Sequence, residues 1–269
     1  MKQYCSNRIL LRFVCVILIV ISGCAGQAEQ KSARGNWVES AKTDFRKLPE
    51  DVIEGSRDTF LRTDNMTALL LAGGASIAMH QNSADKKIVN HFERYPVFHG
   101  FIDESINVIG CPGTHFAATG LWYAISAENN DDFNKQRAWT MMTALSMTGF
   151  TTLALKAIRD NKTPNGKLWG WPSGHTSSSF TVASVLDEFY GPRVGIPAYA
   201  AASLVAYRMM DTGDHWASDI VFGVTLGWVV GHTIAGKHKE LEIAGFKVLP
   251  YFGNYKNDST FGVNLVKRF

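Results

Sequence analysis

The chain has 269 residues, 46% of them hydrophobic, with 27 Lys and Arg against 24 Asp and Glu. Loss of the first 23 residues would remove Lys2, Arg8 and Arg12 and no acid, leaving 24 basic against 24 acidic residues, so an extended basic surface for nucleic acid is excluded. Of the 4 cysteines, Cys5, Cys15 and Cys24 lie at the start and only Cys111 falls in the body of the chain, which excludes a disulfide framework and a paired-cysteine zinc site.

The chain starts with a basic stretch and an apolar run over 13–21, followed by Ser22-Gly23-Cys24. This pattern is an export signal, because the run is too short for a helix that needs about 20 apolar residues to span a bilayer. Ile21-Ser22-Gly23-Cys24 resembles the lipobox of bacterial lipoproteins, which implies cleavage after residue 23 and lipidation of Cys24. In that family, Ala25 rather than Asp after the cysteine implies delivery to the outer membrane, facing the periplasm. Residues 24–60 are polar and charged and read as a tether running into a loosely amphipathic lead-in segment.

A helical domain is expected over 61–240. Stretches rich in Ala, Leu, Met and Gly cover 65–84, 98–110, 115–127, 136–159, 175–190, 196–211 and 216–234. They are longer than strands and are separated by breakers such as Cys111-Pro112-Gly113, Asn129-Asn130, Pro164-Asn165-Gly166 and Gly191-Pro192. The expected fold class is all-α, a helical bundle. Residues 138–155 and 220–236 carry no Asp, Glu, Lys or Arg, yet their many Thr, Ser and Gly favour buried helices of a lipid-tethered domain over a multi-pass inner-membrane protein. The tail, 241–269, is expected to form a short β-hairpin with strands at 246–252 and 260–269, since Phe261, Val263, Leu265 and Phe269 alternate on one face.

The residues able to carry chemistry concentrate between Lys156 and Asp219. Pro172-Ser173-Gly174-His175 directly precedes an apolar helix, so the N–H groups of Gly174 and His175 and the Ser173 hydroxyl can face an oxyanion. Lys156 and Arg208, at the ends of two other helices, can supply cations. His215 and Asp219 are one helical turn apart on one face. A carboxylate accepting from Nδ1–H leaves the Nε2 lone pair free for attack on phosphorus. A second histidine, His175, can protonate the leaving alkoxide and then activate water. The other six histidines, 80, 91, 99, 115, 232 and 238, have no metal-ligand spacing and read as structural or exposed. Trp169 and Trp171 are candidates to wall the pocket.

In order, these elements resemble the phosphatidic acid phosphatase type 2 and haloperoxidase superfamily, whose motifs are Lys-x6-Arg-Pro, Pro-Ser-Gly-His and Ser-Arg-x5-His-x3-Asp. The resemblance implies that Lys156 binds phosphate, Ser173 and Gly174 cradle it, His175 is the general acid and base, His215 the nucleophile and Asp219 its orienting partner. Two positions depart from the pattern. Thr163 stands where the first motif has arginine, so Arg159 or Lys162 is the candidate substitute. Arg208 stands one residue too far from His215, with Met209 in the family's arginine position and Tyr207 in place of the serine; a one-residue insertion in the loop before His215 lets Arg208 keep its role. Losing one charge-assisted phosphate contact removes on the order of 2–4 kcal/mol of transition-state stabilisation. The expected activity is hydrolysis of phosphomonoesters or pyrophosphates, on lipids or small esters, through a phosphohistidine with no metal or other cofactor. The alternatives are a vanadate-dependent haloperoxidase and a degenerate lipoprotein that binds an envelope partner.

Overall fold

The computed structural model describes residues 37–236, 242–243, 246–255 and 258–266. The expected export signal and the expected lipidation site, Cys24, lie outside the described residues. Nine helices follow one another among these residues: α1 (Trp37–Phe60), α2 (Thr63–Gln81), α3 (Ala84–Arg94), α4 (Gly100–Gly110), α5 (Pro112–Glu128), α6 (Asp132–Arg159), α7 (Gly174–Tyr190), α8 (Pro192–Asp211) and α9 (Ala217–Gly236). Three strands follow, β1 (Glu242–Ile243), β2 (Phe246–Tyr255) and β3 (Asp258–Val266). They form one antiparallel sheet in the order β1-β2-β3, with Lys247 opposite Val266 and Tyr255 opposite Asp258.

The bundle closes around α7 and α9. Gly223, Gly227 and Gly231 recur at a spacing of four along α9 and turn a bare stripe toward α7. A Cβ added at Gly227 would stand 2.2 Å from the Ser177 carbonyl oxygen, and one at Gly231 would stand 2.8 Å from that of Thr181. Only glycine permits this approach. The facing side of α7 is correspondingly small and polar, with Ser177, Thr181 and Ser184 all buried. Their hydroxyls are satisfied: Thr181 pairs with Thr148 of α6 at 2.7 Å, Ser177 with Thr152 at 3.1 Å, and Ser184 donates to the Trp228 carbonyl. Buried hydroxyls are tolerated only when hydrogen-bonded, so these pairs fix α6 against α7 as well as filling space.

The apolar core lies beside this seam. Leu145 and Met147 of α6, Val185 of α7, and Leu226, Val229 and Val230 of α9 make its centre, with Leu69 of α2 closing it. A second cluster packs Phe180 and Ala183 against Ala202, Ala206 and Met209 of α8 and Ile220 of α9. Helix α1 belongs to the same compact unit as the helices that follow it. It docks through Trp139 Nε1, which donates to Asp51 at 2.8 Å, and through a hydrogen bond from the Tyr123 hydroxyl to Asp44. α6 and α9 are long and apolar enough to cross a membrane, and about half or more of each apolar window is buried inside the bundle.

Candidate active site

The first turns of α7 and α9 meet at one end of the bundle. Ser173 is the N-cap of α7: its Oγ accepts from the Thr176 N–H at 3.3 Å, and its own N–H donates to the Asp219 carbonyl at 3.2 Å. This cross-link ties the start of α7 to the start of α9. The first two helical residues, Gly174 and His175, precede any intrahelical acceptor, so their N–H groups are available to an anion. The Ser173 side chain is fully buried and caps the helix.

His215 sits just before α9, its N–H bonded to the Met209 carbonyl at 3.0 Å. Its Nδ1 is 3.4 Å from Asp219 Oδ2, which also accepts from the Trp216 N–H at 3.0 Å. Asp219 therefore both caps its own helix and faces the imidazole. Its other oxygen, Oδ1, is buried without a hydrogen-bond partner among the described residues. Two residues on, the Ser218 N–H donates to Asp85 of α3 at 2.9 Å, and the Ser218 hydroxyl donates to the same carboxylate at 2.6 Å. Two carboxylates thus serve one helix N-terminus, where the helix dipole favours negative charge.

The cations arrive from other helices. Lys156, in the last turn of α6, donates to the carbonyls of Trp169 and Gly170. Burial pushes its ammonium down to about 8, against the pull of the Asp219 carboxylate. Arg208, in the last turn of α8, is buried. Its Nε donates to Asp103 of α4 at 2.6 Å, and its Nη1 donates to Asp214 at 2.6 Å and to Asn107 at 3.2 Å. Its Nη2 carries no hydrogen bond among the described residues. Burial works to raise the Asp214 carboxyl, but the hydrogen bond from Lys167 and the charge of Arg208 hold it at about 2.

His175 lies within electrostatic reach of His215, Arg208, Asp214 and His115. Burial pushes its imidazole down to about 4, with the charges of His215 and Arg208 adding to the effect and Asp214 opposing it. The ring is therefore neutral near pH 7.

The structure brings together Lys156, Ser173, Gly174, His175, Arg208, His215 and Asp219. Arg208 reaches the site because the loop to His215 is closed by Thr212 and Asp214, both of which bond within it. Of three further candidates for phosphate contact, two have side chains engaged elsewhere. The Thr163 hydroxyl donates to Asn165 Oδ1 at 2.7 Å and accepts from the Lys167 N–H at 3.0 Å, fixing the 163–167 turn. The Arg159 guanidinium stacks over Trp171, 5.0 Å from the ring centroid. The Lys162 side chain is exposed, and its carbonyl accepts from Trp216 Nε1. Trp171 packs on Phe222 and donates to Ser76, whereas Trp169 is half exposed.

Four further residues have no signal in the sequence motifs. Asp103, Asn107 and Asp214 hold Arg208, and His115 of α5 places Nδ1 3.1 Å from the Ser178 hydroxyl, one turn along α7 from His175. Among the described residues no cluster of three or more His, Cys, Asp or Glu is arranged to hold a metal ion. A cleft of about 510 Å³, lined by Asp51, Glu54, Asp58, Trp139 and Thr233, lies toward the opposite end of α9 and contains none of the site residues.

Comparison with known proteins gives this geometry a context. Residues 153–241 match the family model of the PAP2 superfamily, a stretch that contains every motif residue from Lys156 to Asp219. A lipid A 1-phosphatase from Porphyromonas gingivalis is 34% identical over 64 residues, a match that covers 23% of this chain and 14% of that protein. The chain thus aligns with about a seventh of the length of this curated relative. The fold is similar to that of a transmembrane PAP2 type phosphatidylglycerolphosphate phosphatase from Bacillus subtilis, with a TM-score of 0.52 at 18% identity over 66% of this chain and 98% of that one. The Aquifex aeolicus LpxE structure aligns at a TM-score of 0.46 and 19% identity over 58% of this chain and 94% of that one.

Proposed function

We propose that the protein is a phosphatase of lipid phosphate esters that works through a phosphohistidine on His215. The observation that carries the reading is the His215 Nδ1 to Asp219 Oδ2 contact at 3.4 Å, with His175 as its electrostatic neighbour, inside a matched PAP2 domain. Asp219 holds the proton on Nδ1, so Nε2 presents its lone pair. Nε2 attacks phosphorus, the ester P–O bond breaks, and the leaving oxygen takes a proton from His175. Water then attacks the phosphohistidine and gives its proton to His175, releasing inorganic phosphate and restoring His215. Lys156, the free Nη2 of Arg208 and the N–H groups of Gly174 and His175 stabilise the charge on the transferring group. The bound phosphate supplies the negative charge that lets a strongly depressed His175 hold the proton it must donate.

Lipid phosphates are the substrate class that fits a chain tethered to a bilayer through Cys24, because tethering holds enzyme and lipid at high effective concentration. The location proposed is the outer membrane, facing the periplasm. The full chain, assayed for phosphate release from phosphatidic acid in detergent micelles, is expected to be active, and its quenched reaction to contain an acid-labile phosphoryl group. His215→Ala is expected to lose both. A His215→Ala variant with wild-type turnover would refute the mechanism.

A further inference from the structure

The segment joining α6 to α7 carries a surface that the catalytic reading does not use. Residues 161–170 form a small hairpin: Lys162 bridges Leu168, the Gly170 N–H donates to the Asn161 carbonyl at 2.9 Å, and Gly166 turns the chain at φ +81°. Directly opposed residues of such a pair project on the same side, so the Leu168 and Lys162 side chains emerge together. Leu168 is 64% exposed, Trp169 50%, and Ile158, at the end of α6, 80%. The segment 158–171 holds Arg159, Lys162 and Lys167 against the single acid Asp160, with Lys167 also ion-paired to Asp214 at 2.7 Å.

Trp169 is unlike five of the other tryptophans. Trp122, Trp139, Trp171, Trp216 and Trp228 each lie against another aromatic ring, whereas Trp169 has no ring partner among the described residues. Its backbone is left-handed, at φ +64°. An L residue with a large side chain adopts that conformation only at a cost, and such strain is retained where it serves a site. Here it turns an indole outward while the carbonyls of Trp169 and Gly170 turn inward to hold the Lys156 ammonium.

We infer that this hairpin is a docking surface for an anionic lipid bilayer and that its insertion sets the position of Lys156. The chemistry matches on both counts. An indole beside a leucine is suited to the boundary between headgroups and acyl chains. Excess lysine and arginine around it is attracted by anionic headgroups. Insertion of Trp169 fixes the two carbonyls that aim Lys156, so hydrolysis at the bilayer is faster than hydrolysis of a dissolved ester. The link to catalysis rests on the lipid-phosphatase reading above; the docking does not.

The test uses the full chain reconstituted with vesicles of brominated phosphatidylcholine, with and without phosphatidylglycerol. Tryptophan fluorescence is expected to be quenched more strongly when phosphatidylglycerol is present, and Trp169→Phe is expected to abolish that added quenching. Leu168→Ser is expected to retain wild-type turnover of dissolved para-nitrophenyl phosphate while hydrolysis of phosphatidic acid in vesicles falls roughly tenfold. Trp169→Phe quenched like the wild type, or quenching indifferent to phosphatidylglycerol, overturns the docking. Leu168→Ser losing both activities alike, or dissociating a dimer without altering quenching, overturns it in favour of a structural or self-association role. A protein that releases phosphate from neither ester refutes the phosphatase reading, and the quenching comparison then decides the docking alone.

Discussion

Arg208 Nη1 lies 2.6 Å from Asp214 Oδ2, and Asp214 immediately precedes His215. The candidate phosphate cation and the candidate nucleophile are therefore joined through a single residue. Asp214 also receives Lys167 Nζ at 2.7 Å and Asn165 Nδ2 at 2.8 Å, so it fixes the 163–167 turn as well.

Asp214→Asn keeps the shape of this hub and removes its charge. Arg208 retains Asp103 and Asn107, so the variant is expected to fold, but the guanidinium is less firmly aimed. A loss of roughly tenfold in kcat/KM is expected, equivalent to about 1.4 kcal/mol. Because Asp214 is the charge that draws the His175 pKa upward, its removal is expected to lower that pKa further. Steady-state kinetics over a pH series, combined with histidine NMR titration, measures both. Unchanged kinetics would show that Arg208 needs no help from Asp214.

His175 is held at about 4 in the free protein, chiefly by burial. An oxyanion bound between it and His215 restores the missing negative charge and raises that value toward or above the ordinary 6.5. Binding of a phosphate analogue near pH 6 is therefore expected to take up a proton from solution. Calorimetric titration in buffers of different ionisation enthalpy reads the uptake, and His175→Asn is expected to abolish it. Proton release on binding would reverse the assigned role.

The motif residues were legible in the sequence because each group lies within a few residues of its partners: Pro172 to His175 as a capped helix start, His215 and Asp219 as one helical turn. The partners of Arg208 were not. Asp103 and Asn107 stand on α4, about a hundred residues earlier, and only the packing of α4 against α8 brings them to the guanidinium. Spacing alone also made Thr163, Arg159 and Lys162 candidates, whereas turn formation and stacking on Trp171 claim the first two. The bundle was readable from stretch length and breakers. The burial of the Ser and Thr face of α7 was not, because period-based reading assigns hydroxyls to solvent, and here they face the glycine stripe of α9.

Two half-buried histidines make the fold sensitive to acid. His115, like His175, is pushed by burial to about 4. A group whose pKa is lower in the folded than in the unfolded chain gives stability that is complete above the unfolded value of about 6.5 and is lost as pH falls toward 4. Each histidine contributes on the order of 3 kcal/mol across that window. Urea unfolding at a series of pH values is expected to show stability falling below about pH 6.5, with a shallower slope in His115→Gln. An equal slope in that variant would mean that His115 titrates alike in both states.

Lys156 gives the opposite limb. Burial lowers it to about 8, so in the free enzyme its charge is lost as pH rises through that value, and with it one contact to the transferring phosphoryl group. kcat/KM, which reports free-enzyme ionisations, is expected to fall about tenfold per pH unit above this point. A bound phosphate holds the proton on Lys156, so the same limb in kcat is expected at higher pH. Lys156→Arg keeps a permanent charge and is expected to remove the limb while retaining part of the activity. An unchanged alkaline limb in that variant would assign it to another group.

The glycine stripe of α9 links stability directly to the site. A Cβ at Gly227 would stand 2.2 Å from the Ser177 carbonyl oxygen, and because the atom it meets is backbone, no side-chain rotation relieves it. Gly227→Ala must separate α7 from α9, at a cost of about 1–3 kcal/mol by the usual scale of overpacking. Gly149, in the interior of α6, has no atom within 4 Å of its added Cβ, so Gly149→Ala is expected to be neutral or to stabilise by up to about 1 kcal/mol. Thermal unfolding of the pair tests the packing argument. The separation also moves His175, on the first turn of α7, away from His215, just ahead of α9. Phosphate release by Gly227→Ala is therefore expected to fall at temperatures where the variant is still fully folded, while that of Gly149→Ala is unchanged.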